Sequence, residues 1–275
     1  MSIIRNKHIL ITGGAHGIGL LLAEKALKKG AKSLVIWDVN EEYLAKAHEQ
    51  LSTFEAPIHC FTVDISKYEQ IYQTAEQTLQ DIPHVDLLIN NAGIIAGKNF
   101  DELIPEDIEQ TIGVNLLGMI HTTRSLLGGL KKSSSAHIVN IASAAGLMAN
   151  PGMSVYASSK WGAIGWSESL RIELSKSEAN INVTTVEPSY IDTGMFEGVS
   201  APLLTPILSP DDITNRIIKA IEHNKIHLRA PFMVKLLPFL RGILPTKVFD
   251  FVAGKLFRVY QSMDTFTGRK EQGVR

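Results

Sequence analysis

The sequence has a single cysteine, Cys60, among its 275 residues, and one thiol excludes a disulfide bond within the chain. Such scarcity of cysteine is typical of proteins in a reducing compartment. Cys60 lies in the apolar run IHCFTVD, where we expect it to be a small buried hydrophobic residue.

Long hydrophobic runs are also missing. No stretch approaches the roughly 18 consecutive apolar residues that suggest a membrane-spanning helix. The first residues, MSIIRNKHILITGG, turn directly into a strand and a glycine turn and are interrupted by Arg5 and Lys7, so we expect no signal peptide. These features predict a cytoplasmic protein, with at most a peripheral contact with a membrane.

The sequence as a whole has little excess charge. Its formal net charge of −1 gives no reason to expect a nucleic-acid partner. Its nine histidines show no H-E-x-x-H or similar ligand spacing, so we expect no metal site. The charge is unevenly distributed, however, because residues 229–275 contain nine Lys or Arg and only three Asp or Glu.

Short apolar runs alternate with longer helical segments such as GLLLAEKALKKG and YEQIYQTAEQTLQ. Runs of this kind are typical of strands that are buried on both faces. The six runs are HILIT (8–12), SLVIWD (33–38), IHCFTVD (58–64), VDLLINNAG (85–93), AHIVNIAS (136–143) and INVTTVEP (181–188). The alternation predicts an α/β fold, a Rossmann-type doubly wound parallel sheet flanked by helices.

A glycine turn, ITGGAHGIGL, follows the first strand and opens the first helix. Gly13, Gly17 and Gly19 have no side chains that would keep a pyrophosphate from the helix N-terminus, where free N–H groups favour an anion. Asp38 ends the second strand about 20 residues later, and a carboxylate there accepts hydrogen bonds from ribose hydroxyls and repels a 2′-phosphate. The turn therefore predicts a dinucleotide site that prefers NAD to NADP, although a protonated His16 would favour a phosphate.

Tyr156 and Lys160 lie one helical turn apart in the stretch SVYASSKWGAIGWS, which is otherwise rich in small residues. A Lys160 ammonium close to the phenol would lower the pKa of Tyr156 and make it a general acid and base near neutral pH. Ser143, thirteen residues earlier at the end of a strand, can hydrogen-bond the substrate oxygen. This group of residues is suited to hydride transfer with a nicotinamide.

Together these motifs resemble the short-chain dehydrogenase/reductase family. The resemblance rests on TGGAHGIG (12–19), NNAG (90–93), Asn115 in GVNLLG, Ser143 in NIASAAG and YASSK (156–160), and it spans about residues 5 to 225. It implies a catalytic tetrad of Asn115, Ser143, Tyr156 and Lys160. In the family, the lysine also holds the nicotinamide ribose and the asparagine positions a water in a proton relay.

The resemblance also implies the remaining cofactor contacts. Asp64 and Ile65 match the adenine site, and EPSYIDTGMF matches the segment that meets the nicotinamide, with Ser189 where glycine is usual. We expect this departure to be tolerated. The full set of expected cofactor contacts is Gly13, His16, Gly17, Ile18, Gly19, Asp38, Asp64, Ile65, Asn91, Ala92, Gly93, Tyr156, Lys160, Pro188, Ile191 and Thr193.

We expect two regions, a dinucleotide-binding catalytic domain over 1–228 and a basic amphipathic extension over 229–275. The catalytic domain includes a substrate lid at about 194–225, with Ser209 as the N-cap of a helix; its apolar residues either line the substrate site or cover the core. In the extension, helical spacing places apolar residues on one face and Lys or Arg beside them. The apolar residues are Val248, Phe251, Val252, Leu256 and Val259, flanked by Lys247, Lys255 and Arg258. This face either packs on a subunit or contacts a lipid surface.

The runs LLPFLRGILPTKVFDFVAG and SMDTFTGR resemble the family branch of retinol and hydroxysteroid dehydrogenases. The resemblance implies an NAD-dependent oxidoreductase that interconverts a hydrophobic alcohol and its aldehyde or ketone, as a homodimer or homotetramer. An NADPH-dependent carbonyl reductase is the alternative enzyme. A non-catalytic dinucleotide-binding regulator or lipid-surface scaffold is the alternative from another class.

Overall fold

Seven parallel strands form one sheet at the centre of the computed structural model, which describes residues 4–268. Their order across the sheet is β3-β2-β1-β4-β5-β6-β7. The strands are β1 (His8–Thr12), β2 (Ser33–Asp38), β3 (Ile58–Thr62), β4 (Leu87–Asn90), β5 (Ala136–Ile141), β6 (Ile181–Pro188) and β7 (His227–Ala230). The predicted doubly wound parallel sheet is confirmed.

Helices cover both faces of the sheet. They are α1 (Gly17–Lys28), α2 (Glu41–Leu51), α3 (Tyr68–Asp81), α4 (Pro105–Ile112), α5 (Met119–Lys132), α6 (Ser154–Ser175), α7 (Pro210–Glu222), α8 (Phe232–Ile243) and α9 (Thr246–Phe251). Helices α1, α2 and α7 pack on one face, and α3, α5 and α6 pack on the other. Successive β1 residues point to opposite faces, so Ile9 and Ile11 join the first core and Leu10 the second.

The position of each strand explains how deeply it is buried. Strand β1 is fully buried because it pairs with β2 on one side and β4 on the other. Strand β3 is only half-buried, contrary to the expectation for IHCFTVD, because it forms the edge of the sheet. Cys60 on β3 packs partly buried against the core, and burial raises the pKa of its thiol to about 11.

Strand β7 was not predicted, and it crosses the expected domain boundary after residue 228. It pairs with β6, so the sheet continues to Ala230. Before it, α7 buries Ile213 and Ile217 in the core rather than covering a substrate. The expected lid of about 194–225 is therefore shorter, and residues 194–209 form the segment that we call the lid. The predicted helix start at its end is confirmed, since Ser209 Oγ accepts a hydrogen bond from Asp212 N at 3.1 Å.

The extension does not form one amphipathic helix with a single buried face. Helix α9 is six residues long and passes into a π-helical turn over Val252–Leu256. A π turn contains more residues than an α turn and so rotates the side chains that follow it. Phe249 and Ala253 are buried, whereas Val248, Phe251 and Leu256 of the predicted stripe are exposed.

Within residues 4–268, no helix is both long enough and apolar enough to cross a bilayer.

Candidate active site

A crevice opens at the carboxyl ends of β1 and β4, where the strand order of the sheet reverses. Ligands of doubly wound sheets bind at such a switch point. The cavity measures about 350 Å³, and fifteen of the sixteen expected cofactor contacts line it. The exception is Gly19, which packs against the glycine turn. A methyl group added there would overlap the Gly13 carbonyl.

The glycine turn leaves space for an anion beside the start of α1. Gly13 and Gly17 have φ values of +61° and +57°, a conformation that favours glycine. A methyl group added at Gly17 would meet no atom of the described residues within 4 Å. Gly17 and Ile18 line the crevice, so the N-terminus of α1 borders open space, as phosphate binding at a helix N-terminus requires.

Asn91 and Thr12 hold this turn in place. Asn91 Nδ2 donates to Gly13 O at 2.8 Å and to Thr12 O at 3.1 Å. Thr12 Oγ1 accepts from the backbone N–H groups of Asn91 and Ala92 at 3.1 and 3.2 Å. Asn91 thus braces the crevice through its amide nitrogen. Thr12 was missed by the sequence reasoning, although its position at the end of β1 is a signal for this role.

Asp38 lies at the rim of the crevice as a buried carboxylate. Its oxygens accept hydrogen bonds from the N–H groups of Ala15 at 3.1 Å and Asn40 at 3.2 Å. His16 Nδ1 lies 3.6 Å from Asp38 Oδ2. Burial alone would raise the pKa of Asp38, but the nearby His16 ring and the hydrogen bond from Asn40 outweigh it and lower the pKa. The carboxylate is therefore charged at neutral pH and suited to accept hydrogen bonds from a ribose.

The far side of the crevice is mainly apolar. Asp64 Oδ1 accepts from Ser66 N at 2.9 Å and from Ser66 Oγ at 2.7 Å, so this carboxylate stabilises its own turn. Ile65 lines the wall with Val63 and Val114, two residues that sequence reasoning missed although each adjoins a predicted site residue. This wall is suited to a flat aromatic ring such as adenine.

Tyr156, Lys160 and Ser143 meet at the other end of the crevice. Lys160 Nζ lies 5.6 Å from the centre of the Tyr156 ring and donates to Ile141 O at 3.0 Å. Ser143 follows β5, and its Oγ accepts from Ala145 N at 3.1 Å. Tyr156 is 5% exposed and Lys160 is 3% exposed. The phenol and the amine are thus held in an environment with little water.

This burial overturns the expected protonation of the pair. Burial raises the pKa of Tyr156 to about 12, although the Ser143 hydroxyl acts in the opposite direction. Burial also lowers the pKa of Lys160 to about 8. The expected net fall in the pKa of Tyr156 is therefore wrong for this structure, because the buried phenol loses hydration.

Asn115 lies in a π-helical turn, Gly113–Gly118, between α4 and α5. Its Oδ1 accepts from Ile94 N at 2.8 Å, and its Nδ2 donates to Ile94 O at 2.9 Å and Ser159 Oγ at 3.1 Å. Asn115 thereby joins the loop after β4 to α6, next to Tyr156. The water-positioning role that the resemblance implies stays a prediction.

The small residues around Tyr156 and Lys160 allow neighbouring backbones to approach α6. A methyl group at Gly146 would lie 2.7 Å from Lys160 O, and one at Gly162 would lie 2.8 Å from Leu116 Cδ2. Bulkier residues at these positions would push the loop after β5 or the π turn away from the helix. The scarcity of large side chains therefore serves to place Tyr156 and Lys160.

A second cavity of about 80 Å³ adjoins the crevice. Four residues line both cavities, and they mark the place where a substrate would meet a cofactor. The four are Ser143, Tyr156, Ser189 and Phe196. The outer wall is largely apolar and comes from the extension. It includes Met233, Val234, Leu237, Leu240, Phe249, Val252, Ala253, Phe257 and Val259.

The apolar lid residues are divided among three environments. Phe196 lines both cavities, Leu208 is buried in the core, and Leu203, Leu204 and Ile207 are exposed. The lid contributes Pro202 and Thr205 to the pocket instead. Sequence reasoning missed these residues because their direction depends on how the lid folds.

Ser189 stands at the junction without distorting the chain. It is not among the described residues with positive φ, and its N–H donates to Ala230 O at 2.8 Å. Strand β7 therefore fixes the backbone at the position where the resemblance implies glycine.

Comparisons with known proteins agree with this geometry. A family model described as short chain dehydrogenase matches residues 7–203. The chain is 37% identical over 268 residues to epidermal retinol dehydrogenase 2 of Mus musculus, covering 96% of this chain and 86% of that protein. It is 34% identical over 240 residues to estradiol 17-beta-dehydrogenase 11 of Homo sapiens, covering 87% of this chain and 79% of that protein.

A solved structure shows the same fold. The crystal structure of a short chain dehydrogenase/reductase from Burkholderia phymatum in complex with NAD superposes with a TM-score of 0.80 at 26% sequence identity. The match covers 88% of this chain and 95% of that one.

Proposed function

This chain is an oxidoreductase of the short-chain dehydrogenase family, and we propose that it uses NAD to interconvert a hydrophobic alcohol and its aldehyde or ketone. One observation carries the proposal. Ser143 and Tyr156 lie where a crevice suited to a dinucleotide meets a pocket with an apolar wall. A substrate oxygen at this junction is within reach of both hydroxyl groups.

The residues of the chain transfer the proton, whereas the nicotinamide, when bound, accepts or donates the hydride. In the reducing direction the neutral Tyr156 phenol donates its proton to the substrate oxygen, and in the oxidising direction the phenolate takes the hydroxyl proton. Ser143 donates a hydrogen bond to the same oxygen as negative charge develops on it. A protonated Lys160 stabilises the Tyr156 phenolate by its charge.

Asp38 supports NAD as the cofactor. Its buried carboxylate is held at the crevice rim by two backbone N–H groups and stays charged at neutral pH. A 2′-phosphate beside it would be repelled at short range. His16 Nδ1 lies 3.6 Å from this carboxylate, whose negative charge opposes the approach of a phosphate to this part of the rim.

The pocket supports a hydrophobic substrate. Its wall is built from Met, Leu, Val and Phe side chains of the extension, so polar substrates would lose hydration without gaining hydrogen bonds. Relatives named as retinol and estradiol dehydrogenases support the same substrate class. Retinol, a steroid alcohol and a long-chain primary alcohol are therefore the compounds to test.

The experiment follows nicotinamide absorbance with each of these alcohols and NAD, and separately with NADP. Turnover with NAD and slower turnover with NADP is the expected result. Turnover with NADP alone would overturn the Asp38 argument and favour the NADPH-dependent carbonyl reductase. Equal effects of wild type and Tyr156→Phe in every assay would favour the non-catalytic regulator or scaffold.

The extension also supports a peripheral contact with an anionic lipid surface. Phe239 and Phe251 are 64% and 54% exposed, and Phe232, Ile243 and Leu256 are exposed in the same segment. Lys235 and Lys255 lie within 6 Å of two of these phenyl rings, at 5.9 and 5.8 Å. Apolar side chains with cations beside them are suited to a surface of anionic headgroups. The buried residues of the same segment line the pocket, so a substrate dissolved in the lipid would have a short path from the membrane surface to the pocket.

Co-sedimentation with vesicles tests this contact. We expect binding to phosphatidylcholine vesicles that contain phosphatidylserine and weaker binding to phosphatidylcholine alone. Replacing Phe239 and Phe251 by Ser should reduce binding at least tenfold. Tyr68→Ser, at an exposed aromatic residue on α3, should leave it unchanged. Equal binding by both variants would contradict the contact.

A homodimer or homotetramer through the helices that flank the active site is the accompanying proposal. Leu117, Trp161 and Ile172 are exposed on the segments around α5 and α6, and Gly165 of α6 has open space above it. Light scattering after gel filtration measures the assembly. A monomer at micromolar concentration would contradict the proposal, and Ile172→Glu should dissociate a dimer that uses this face.

A further inference from the structure

Residues 262–268, which we call the strap, run along the lid and pair with it. Ser200 N donates to Ser262 O at 3.0 Å, and Thr267 N donates to Glu197 O at 2.9 Å. Gly268 N reaches the same Glu197 carbonyl at 3.3 Å. Thr265 Oγ1 adds a bond to Gly198 O at 2.6 Å. The lid is thus attached to the strap by main-chain and side-chain hydrogen bonds.

Two glycines allow the strap to approach this closely. Gly198 has a φ of +82°, and a methyl group there would overlap the Thr265 carbonyl. A methyl group at Gly97, in the loop after β4, would overlap the Phe266 ring. The strap therefore bridges two of the loops that surround the active site.

The strap also reaches the catalytic tyrosine through a line of aromatic rings. Ser262 is 1% exposed, and its Oγ lies 2.7 Å from the Tyr190 hydroxyl. The Tyr190 ring meets the Phe196 ring edge to face, with 5.1 Å between centres. The Phe196 ring meets the Tyr156 ring in the same manner at 6.2 Å. Movement of the strap would therefore change the wall beside Tyr156.

The pocket is too small for a bulky substrate. Its volume is about 80 Å³, whereas pockets for molecules of drug size measure about 300–1,000 Å³. The inner wall is formed by the end of β5 and by α6, which are fixed in the core. Only the lid and the extension can move away, and the lid is bonded to the strap.

We propose that the strap is a latch on the lid, so that the two segments open together to admit the substrate and close together over it. The Gly198–Thr265 contact joins the lid to the strap, and the Tyr190–Ser262 hydrogen bond holds the joined segments in the closed state. Tyr190 is a positioning residue, because it acts on the catalytic tyrosine through Phe196. The inference rests on the proposed function only for the identity of the molecule that is admitted.

Amide hydrogen exchange tests the latch without any turnover. The amides of Ser200, Thr267 and Gly268 report on the junction, since each donates across it. In Gly198→Ala we expect all three to exchange at least tenfold faster and by the same factor, while amides of α6 keep their protection. Gly194→Ala is the control, because Gly194 is also in the lid with a φ of +77°, yet an added methyl group meets no described atom within 4 Å.

Two outcomes of the exchange experiment would overturn the latch. One is unchanged exchange of the three amides in Gly198→Ala. The other is faster exchange of Ser200 while Thr267 and Gly268 keep the wild-type rate, because the hydrogen bonds across the junction would then break separately and not as one unit.

Ligand binding tests whether the hydrogen bond between Tyr190 and Ser262 holds the latch closed. Retinol fluorescence is followed as retinol binds the protein saturated with NADH. Tyr190→Phe should raise the association rate at least threefold and leave the Kd of NADH unchanged. Tyr260→Phe is the matched control, because its hydroxyl bonds Asp250 within the extension at 2.6 Å. An unchanged association rate in Tyr190→Phe would remove Tyr190 from the latch. Failure of every variant to bind retinol would count against the proposed substrate, whereas hydrogen exchange would still decide the latch.

Discussion

At the scale of single residues, burial determines the protonation states of Tyr156 and Lys160, the proposed catalytic pair. With a pKa of about 12, the Tyr156 phenol is neutral throughout the physiological range. Lys160, with a pKa of about 8, is mostly charged at neutral pH and loses its charge as the pH rises above 8. The structure therefore presents an acid ready for reduction, and oxidation requires removal of the phenolic proton.

Tyr156→Phe should separate chemistry from binding. The substitution keeps the ring but removes the hydroxyl, so we expect turnover to fall by about 10²- to 10⁴-fold. The Kd of NADH, measured by fluorescence, should stay within twofold of wild type. Tyr43→Phe, at a tyrosine that lines the crevice away from the junction, serves as the control. Turnover retained by Tyr156→Phe would show that another group moves the proton.

Asp38→Ala should change the choice of cofactor. Without the carboxylate, the ribose hydroxyls of NAD lose their acceptor and a 2′-phosphate is no longer repelled. We expect the ratio of kcat/KM for NAD to that for NADP to fall at least tenfold, which corresponds to about 1.4 kcal/mol. Asp64→Ala is the control, because Asp64 bonds its own turn rather than the rim. An unchanged ratio would contradict the role of Asp38.

At the scale of elements, the sequence predicted the segments that local signals define. The glycine turn marked the start of α1, and Ser209 with Pro210 marked the start of α7. Strand β7 was missed because HLRA is a short run with a charged residue in the middle. The break between α9 and the π turn was missed because the apolar spacing in that segment fits a continuous α-helix equally well.

Two glycines between the start of α4 and the end of α5, Gly118 and Gly128, differ in the space around them and can be compared directly. A methyl group at Gly118 would lie 2.6 Å from the backbone oxygen of Ile65, which lines the crevice. We expect Gly118→Ala to lower the free energy of unfolding and to weaken NADH binding. A methyl group at Gly128 meets no described atom within 4 Å, so Gly128→Ala should raise the free energy of unfolding by about 0.5–1 kcal/mol.

Urea denaturation and NADH titration of the two variants check this prediction. Equal stability of Gly118→Ala and Gly128→Ala would mean that the π turn can shift away from Ile65.

At the scale of the whole molecule, the sequence predicts the residues of the crevice much better than those of the pocket. Fifteen of the sixteen predicted cofactor contacts line one crevice, because these residues follow strand ends in a regular fold, as Gly13, Asp38 and Asn91 do. The pocket was not foreseen, because its wall depends on how the extension folds back onto the core. Nothing local in the sequence pairs Tyr190 with Ser262, which lies 72 residues later.

Buried histidine makes the stability of the molecule depend on pH. Burial lowers the pKa of His137 from 6.5 to about 4. Between these values the unfolded chain binds a proton that the folded chain does not, so stability falls as the pH falls through this window. The contribution amounts to about 2 kcal/mol between pH 7 and pH 5.

Urea denaturation at pH 7 and pH 5 measures this effect. In His137→Gln the loss of stability on acidification should be smaller than in wild type by about 2 kcal/mol. His48→Gln, at an exposed histidine of α2, should lose as much as wild type does. The same pH dependence in all three proteins would contradict the assignment.

The two cavities also differ in when they form during synthesis. Every residue that lines the crevice lies at or before Phe196, whereas the pocket wall begins at Met233 and its latch ends at Gly268. At about 5–20 residues per second, the ribosome needs roughly 4–14 s to extend the chain from Phe196 to Gly268. During that interval the nascent chain contains every residue that lines the crevice, but the extension that forms the outer wall of the pocket has not yet been made. Dinucleotide and chaperones therefore reach the emerging enzyme before any substrate can be enclosed.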